Sequence, residues 1–230
     1  MSMFERTEFL IGVAGIKKLR DSHVAIFGIG GVGGMCTEAL ARAGVGTITI
    51  IDHDAIDESN INRQVIATKD SVGRYKVDVM KERIFSINPS CRVIRRREFF
   101  LPENSSEFDF SKYDYVVDAV DTVSAKLSII ENAKMVQTKV ISAMGTGNKM
   151  HPELFMVSDI SKTSVCPLAR VMRRELGRKG IKDVKCVYSK EPAIKNGKTV
   201  GSISFVPPVA GMIMAGEVVK DLIDWKDEVK

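Results

Sequence analysis

Short apolar runs alternate with longer segments of helical spacing along most of this chain. Val24-Ala25-Ile26-Phe27 is one such run, and Thr47-Ile48-Thr49-Ile50-Ile51 is another. Both are too short for helices and suit strands buried on both faces of a parallel sheet. Residues 73–87 place Val77, Met80, Ile84 and Ile87 on one side of a predicted helix, which Asn88-Pro89 stops. A strand over 92–97 follows, then a polar, turn-rich stretch to Lys112. A buried strand next starts at Tyr113 and ends in the polar tip Asp118-Ala119-Val120-Asp121-Thr122. A helix over 123–137 and a strand over 139–144 continue the order. This βα alternation predicts an α/β fold, with a doubly wound, mainly parallel sheet that gathers ligands at the carboxyl ends of its strands.

Past Gly145-Thr146-Gly147 the pattern changes. Strands over 154–160 and 184–188 flank a helix over 168–178, as antiparallel additions at one sheet edge would. Pro207-Pro208 opens a last helix over 209–225, whose Ala210, Gly211, Ala215 and Gly216 allow close packing. Ahead of the first strand, residues 3–20 carry Phe4, Phe9, Leu10, Val13, Ile16 and Leu19 at near-helical spacing. They predict an amphipathic helix docked on the domain or on a second subunit. With 230 residues, 44% of them hydrophobic, a single domain spanning 1–230 is expected.

Composition excludes more than it selects. The net charge of +5 permits a polyanionic partner without requiring one. No apolar run reaches the length of a membrane span, and Glu5, Arg6 and Glu8 charge the amino terminus. Cys36, Cys91, Cys166 and Cys186 form no C-x-x-C pair, so neither a zinc site nor a disulfide framework is indicated. A soluble, cytoplasmic protein with no membrane partner is the expectation.

The candidate chemistry begins at Gly28-Ile29-Gly30-Gly31-Val32-Gly33, where a strand turns into a helix. In such a Rossmann-like junction Gly28 permits the tight turn, and Gly30 lets backbone approach a phosphate. Gly33 lets the helix pack on its strand, and free N–H groups face the anion. A purely structural βα turn is the other reading. Asp52 falls where a ribose-binding acid is placed, roughly 20 residues beyond the glycines, and would otherwise be a strand cap. Lys76 sits in the first turn of its helix, where the macrodipole disfavours a cation, and this argues against a decorative role. The glycine loop, Asp52, the Asn60–Arg63 segment with Lys76, and Asp118 with Asp121 would converge at one end of the sheet. Two cations beside two acids fit a triphosphate with Mg²⁺ better than the dry slot that hydride transfer from NAD needs.

At these residues the chain resembles the ThiF/MoeB/HesA superfamily, bacterial relatives of ubiquitin-activating enzymes. The matching motifs are Gly28 to Gly33, Ile51-Asp52-His53-Asp54, Asn60-Ile61-Asn62-Arg63-Gln64, Gly73-Arg74-Tyr75-Lys76 and Asp118-Ala119-Val120-Asp121. The resemblance implies ATP bound by the glycine loop, including Gly31, and by the motif of Asp52 and Asp54. Asp52 would hold the ribose, Asn60, Arg63 and Lys76 the phosphates, and Asp121 the Mg²⁺. Arg6 would reach the triphosphate from the partner subunit of a homodimer, joining Arg63 and Lys76 in catalysis.

Sulfur-carrier activators of that superfamily usually have two C-x-x-C zinc pairs in their carboxyl half, and this chain has none. Its later stretches are Ile160-Ser161-Lys162-Thr163-Ser164, Cys166 to Arg173, Cys186-Val187-Tyr188-Ser189 and Phe205 to Gly211. They resemble instead the branch that dehydrates threonylcarbamoyladenosine at position 37 of tRNA. That branch implies ATP-driven activation of a carboxylate, followed by intramolecular ring closure. Adenylation of a ubiquitin-like sulfur-carrier protein, with sulfur-transfer partners, is the alternative; an NAD-binding redox protein is a third. For tRNA, one flank of the 168–178 helix carries Arg170, Arg173, Arg174 and Arg178, and Arg95-Arg96-Arg97 forms a second basic run. Each reads equally as phosphate contact or as a solvated charged face. His23, His53 and His151 are scattered and predict no metal triad.

Overall fold

The computed structural model describes residues 2–194, 197 and 199–226. Seven strands form one sheet: β1 (His23–Phe27), β2 (Thr47–Ile51), β3 (Arg92–Arg96), β4 (Tyr115–Asp118), β5 (Lys139–Ala143), β6 (Phe155–Asp159) and β7 (Lys185–Ser189). Their spatial order is β3-β2-β1-β4-β5-β7-β6. All neighbours pair in parallel except β6, which runs antiparallel to β7. The expected antiparallel addition is therefore a single edge strand, because β7 continues the parallel sheet beside β5. Around the sheet lie the helices α1 (Glu5–Asp21), α2 (Gly31–Ala43), α3 (Lys76–Ile87), α4 (Val123–Met135), α5 (Pro167–Arg178) and α6 (Val206–Ile223).

The strands are apolar on both sides because both sides are covered. Val24 and Ile26 of β1 join a core with Leu40 of α2, Met80 of α3 and Met214 of α6, whereas Ala25 and Phe27 face an opposite core with Ile129 and Met172 of α4 and α5. Side-chain alternation along one strand thus feeds two layers. The closest helix contact is α2 on α6, where a Cβ on Gly211 would lie 2.3 Å from the Val32 carbonyl. The polar stretch after β3 contributes more core than its composition suggests. Phe100, Phe108 and Phe110 pack around Phe27, the last stacked on it with centroids 5.6 Å apart. Such aromatic contacts are worth about 0.5–1.5 kcal/mol each beyond burial.

The amino-terminal helix departs from its prediction in one respect. Gly12 has φ +72° and breaks α1 into two pieces. Ile16 and Leu19 of the second piece are buried on the domain, while Phe9, Leu10 and Val13 are 81%, 72% and 70% exposed. The break lets Ile16 and Leu19 pack while Phe9 and Leu10 before it, and Val13 directly after it, stay in solvent. Among the described residues no helix is long and apolar enough to cross a membrane.

Candidate active site

A cavity of about 890 Å³ opens at the carboxyl ends of β1, β2 and β4, against the start of α2. Gly28 turns the chain there with φ +88°, a conformation open to glycine at little cost. Its N–H donates to Ile51, tying the loop to β2 at 2.8 Å. Gly30 is the N-cap of α2, and a Cβ there would meet nothing nearer than the Gln64 amide at 4.0 Å. Space for a ligand thus lies directly over the helix start. Gly33 does not line the cavity; a Cβ on it would fall 1.8 Å from the Gly28 carbonyl, so its part is packing.

Asp52 closes the loop from the other side. Its Oδ2 accepts from Ile29 N–H at 2.6 Å and its Oδ1 from Asp54 N–H at 2.8 Å. The same carboxylate lines the cavity, so the strand-cap geometry and the ligand-facing position coexist in one side chain. Lys76 begins α3, only 7% exposed at its side chain, with Nζ 2.6 Å from Asp54 Oδ2 and 4.0 Å from Asp52 Oδ2. Two carboxylates offset the helix dipole that would otherwise repel this cation. Arg63 Nη1 donates to the Ser59 carbonyl and to Asn62 Oδ1, both at 2.8 Å, and forms no ion pair among the described residues. Arg63 lines the cavity. Asn60, in the same wall, accepts from Asp57 N–H at 3.2 Å and so shapes the turn that carries Arg63.

Asp121 lines the cavity beyond β4, exposed, and among the described residues only the Thr122 hydroxyl donates to it, at 3.4 Å. Asp118, expected beside it, is instead turned into the fold. It is fully buried, 2.8 Å from Lys126 Nζ, and it accepts from the Ser142 hydroxyl at 2.5 Å. Asp118 is the last residue of β4, whereas Asp121 lies in the loop that leads to α4. Arg6 is exposed on α1 and outside the cavity wall of its own chain.

Long-range contacts with no sequence signal shape the rest of the cavity wall. Asn62 donates to the Ser202 carbonyl at 3.0 Å, and Asn148 exchanges hydrogen bonds with Gly201. These contacts hold Thr199, Val200 and Ser202 over one side of the site. His53 packs at a tilt against Phe99, ring centroids 4.3 Å apart, on the other side. Asp52, His53 and Asp54 bring potential ligand atoms within 4.8 Å of one another, a cluster absent from the sequence reading. The Lys76 ammonium already sits against it.

All four cysteines are buried. Burial pushes the Cys36 and Cys186 thiols up to about 12 and Cys91 to about 11, so the reactive thiolate is disfavoured at these positions. Both basic runs are largely paired. Arg95 meets Asp78, Arg96 meets Glu98, and Arg97 lies 3.8 Å over the Tyr75 ring. On α5, Arg173 donates to Thr163, while Arg174 and Arg178 share Glu175.

Fold and site define a class: a doubly wound α/β protein with an anion-suited cavity at a glycine-loop helix start. The chain belongs to the ThiF family, which its sequence matches over residues 4–230. It is 41% identical to the tRNA threonylcarbamoyladenosine dehydratase of Bacillus subtilis, covering 97% of this chain and 95% of that one. The Escherichia coli tRNA N6-threonylcarbamoyladenosine dehydratase in complex with ATP superposes with a TM-score of 0.91 at 35% identity. That match covers 96% of this chain and 94% of that one, and the enzyme has also been solved with AMP. Similarity to the adenylyltransferase and sulfurtransferase uba4 of Aspergillus niger is 37% over 58% of this chain and 27% of that one.

Proposed function

We propose that this protein is an ATP-dependent dehydratase that activates the carboxylate of the threonylcarbamoyl group on adenosine 37 of tRNA and lets it close into a ring. The observation that carries this reading is the reach of the similarity. At 41% identity it spans 97% of this chain and 95% of the Bacillus subtilis dehydratase, whereas the adenylyltransferases and sulfurtransferases match at 30–37% identity over no more than 43% of their own length.

The residues present suit the chemistry. A carboxylate cannot expel oxide at neutral pH, so one of its oxygens first attacks the α-phosphorus of ATP and displaces pyrophosphate. Attack within the same threonylcarbamoyl group on the adenylated carbonyl then expels AMP, and the elements of one water are removed overall. Arg63 and Lys76 would stabilise charge growing on the polyphosphate, with the free N–H groups above Gly30 alongside. Asp121, exposed at the cavity with no cation among the described residues, fits a Mg²⁺ held by one carboxylate and substrate phosphates. That ion would supply further Lewis-acid stabilisation of the leaving pyrophosphate. No thiol is required, in keeping with the raised thiols.

The decisive measurement is mass spectrometry of nucleosides from threonylcarbamoylated tRNA treated with the protein. A product lighter by one water should form only when ATP is present. Its absence, together with AMP transfer to a ubiquitin-like carrier protein, would select the alternative. Residues 1–230 would act as one adenylating unit in the cytoplasm, where its tRNA substrate is found.

A homodimer completes the reading. Phe9 and Leu10 stand exposed on the segment of α1 that carries Arg6, with Val13 exposed just past the Gly12 break, and a second subunit would cover them and receive Arg6 at its cavity. Mixing an inactive Arg6→Ala chain with an inactive Lys76→Ala chain should then rebuild one complete site per heterodimer. Activity of that species should return to about half of wild type. A mixture that exchanges subunits yet stays inactive would confine Arg6 to its own chain or to no role.

A further inference from the structure

Positive charge is gathered unevenly on this fold. α5 carries four arginines and one glutamate in 12 residues, a net +3 where the whole chain of 230 carries +5. Its core side is Ala169, Met172 and Leu176, all buried, and Arg170, Arg174 and Arg178 follow at four-residue intervals on the side turned away. All three are exposed, in a stripe about 12 Å long. Stability does not account for it. Like charges at i and i+4 repel, and no acid stands in the first turn to meet the helix dipole. A solvated face ordinarily mixes signs, as α3 does with Asp78, Lys81 and Glu82. Arg173 is different, since it donates to the carbonyl and hydroxyl of Thr163 and so fastens α5 to the preceding turn. Arg174 and Arg178 share the one carboxylate of Glu175, at 2.7 and 3.2 Å, and Arg170 has no ion pair among the described residues. The stripe thus stays positive after its own pairings.

The helix also starts beside the cavity. A Cβ on Gly145 would lie 3.6 Å from Cys166 Sγ and 4.0 Å from Leu168 Cβ, and the next two residues, Thr146 and Gly147, line the cavity. With Asp52 past β2 for the ribose and the glycine loop past β1 for phosphates, a nucleotide runs across the strand order toward β4 and β5. A second substrate has to arrive from that side, where α5 begins. We propose that the outer face of α5 is the surface on which the RNA substrate lies, with Arg170, Arg174 and Arg178 on the backbone phosphates of the stem next to the modified adenosine. This rests on the tRNA-modifying reading above. Base-paired RNA hides its base edges in a deep, narrow groove and is held mainly through phosphate and sugar, which suits a row of guanidiniums on a rigid helix. A partner with one charge per nucleotide also offsets the repulsion within the stripe.

The test measures binding of threonylcarbamoylated tRNA without ATP at several salt concentrations, ATP binding by calorimetry, and melting temperature. The triple variant Arg170→Gln, Arg174→Gln, Arg178→Gln should weaken tRNA binding at least about 10-fold and flatten the slope of log affinity against log salt by about 2. ATP binding should be unchanged, since no residue of the stripe lines the cavity, and the melting temperature should not fall. Glu175→Gln, which releases both of its arginines, should instead tighten tRNA binding. Arg95→Gln, on the edge strand β3 and bound to Asp78, should leave it as in wild type. Wild-type tRNA affinity in the triple variant, or an equal loss in Arg95→Gln, would overturn the proposal. Binding through α5 with no dehydrated nucleoside formed by the wild type would strike the functional reading and leave the surface standing. Full dehydration with undiminished binding by the triple variant would strike the surface alone.

Discussion

Lys126→Met should destabilise the protein by about 3–5 kcal/mol, a fall in melting temperature on the order of 10 °C for a chain of this size. Lys126 and Asp118 are both 0% exposed at their side chains and lie 2.8 Å apart. Their mutual attraction roughly repays the desolvation of two charges, so the intact pair adds little. Removing one partner is different, because it strands the other charge away from water. The Ser142 hydroxyl, donating to the same oxygen at 2.5 Å, is too weak to replace an ammonium. The double variant Asp118→Asn, Lys126→Met should consequently regain most of the lost stability. Activity should not return with it. Lys126 also donates to the Val120 carbonyl at 3.1 Å and so steadies the loop that presents Asp121 to the cavity. Thermal melts of the two single variants and the double would show the recovery; a single variant within 2 °C of wild type would sink the argument.

That pair also marks where sequence reading stops. Strand alternation and glycine spacing were enough to place β1, β2, β4 and β5 and to put a cavity at their carboxyl ends, because burial on both faces leaves a continuous apolar record. The motif residues Asp52, Asn60, Arg63 and Lys76 do line one cavity. The neighbouring acids Asp118 and Asp121 read alike in sequence, yet one is the last residue of a strand and points inward. Lys126 looked like one more helical lysine, since nothing local announces a buried partner. Gly12 appeared within an amphipathic run, and only its left-handed backbone shows that the run is two segments. The Thr199 to Ser202 wall and the phenylalanines after β3 were hidden for a related reason. Their contacts, Asn62 with Ser202 and Phe27 with Phe110, are long-range and leave no periodicity. The arginines on α5 show the converse, a strong local pattern in which Arg173 is spent on Thr163 while Arg174 and Arg178 share Glu175.

Lys76→Ala should reduce turnover by about 10²-fold or more while the protein stays folded, with Arg63→Ala comparable. The position of Lys76 is hard to explain by stability. It opens a helix, where the dipole is unfavourable to a cation, and it is nearly buried. Asp54 binds it at 2.6 Å but is itself about half exposed, so water can take over that carboxylate when the ammonium is gone. Loss of the fold is therefore not expected. What is lost is the positive charge that lets a polyphosphate sit beside Asp52 and Asp54, since two bare carboxylates would repel it. Lys76→Arg should fail to restore full turnover: a planar guanidinium would have to fit a space shaped around a point charge between two acids. Arg63 complements it from the opposite kind of setting, anchored by a carbonyl and an amide and free of any carboxylate among the described residues. Circular dichroism and melting curves would establish that both alanine variants are folded, and single-turnover measurements with saturating ATP would isolate the chemical step. Turnover unchanged in both would remove these two cations from the reaction and leave the glycine loop and Asp121 alone to handle the phosphates.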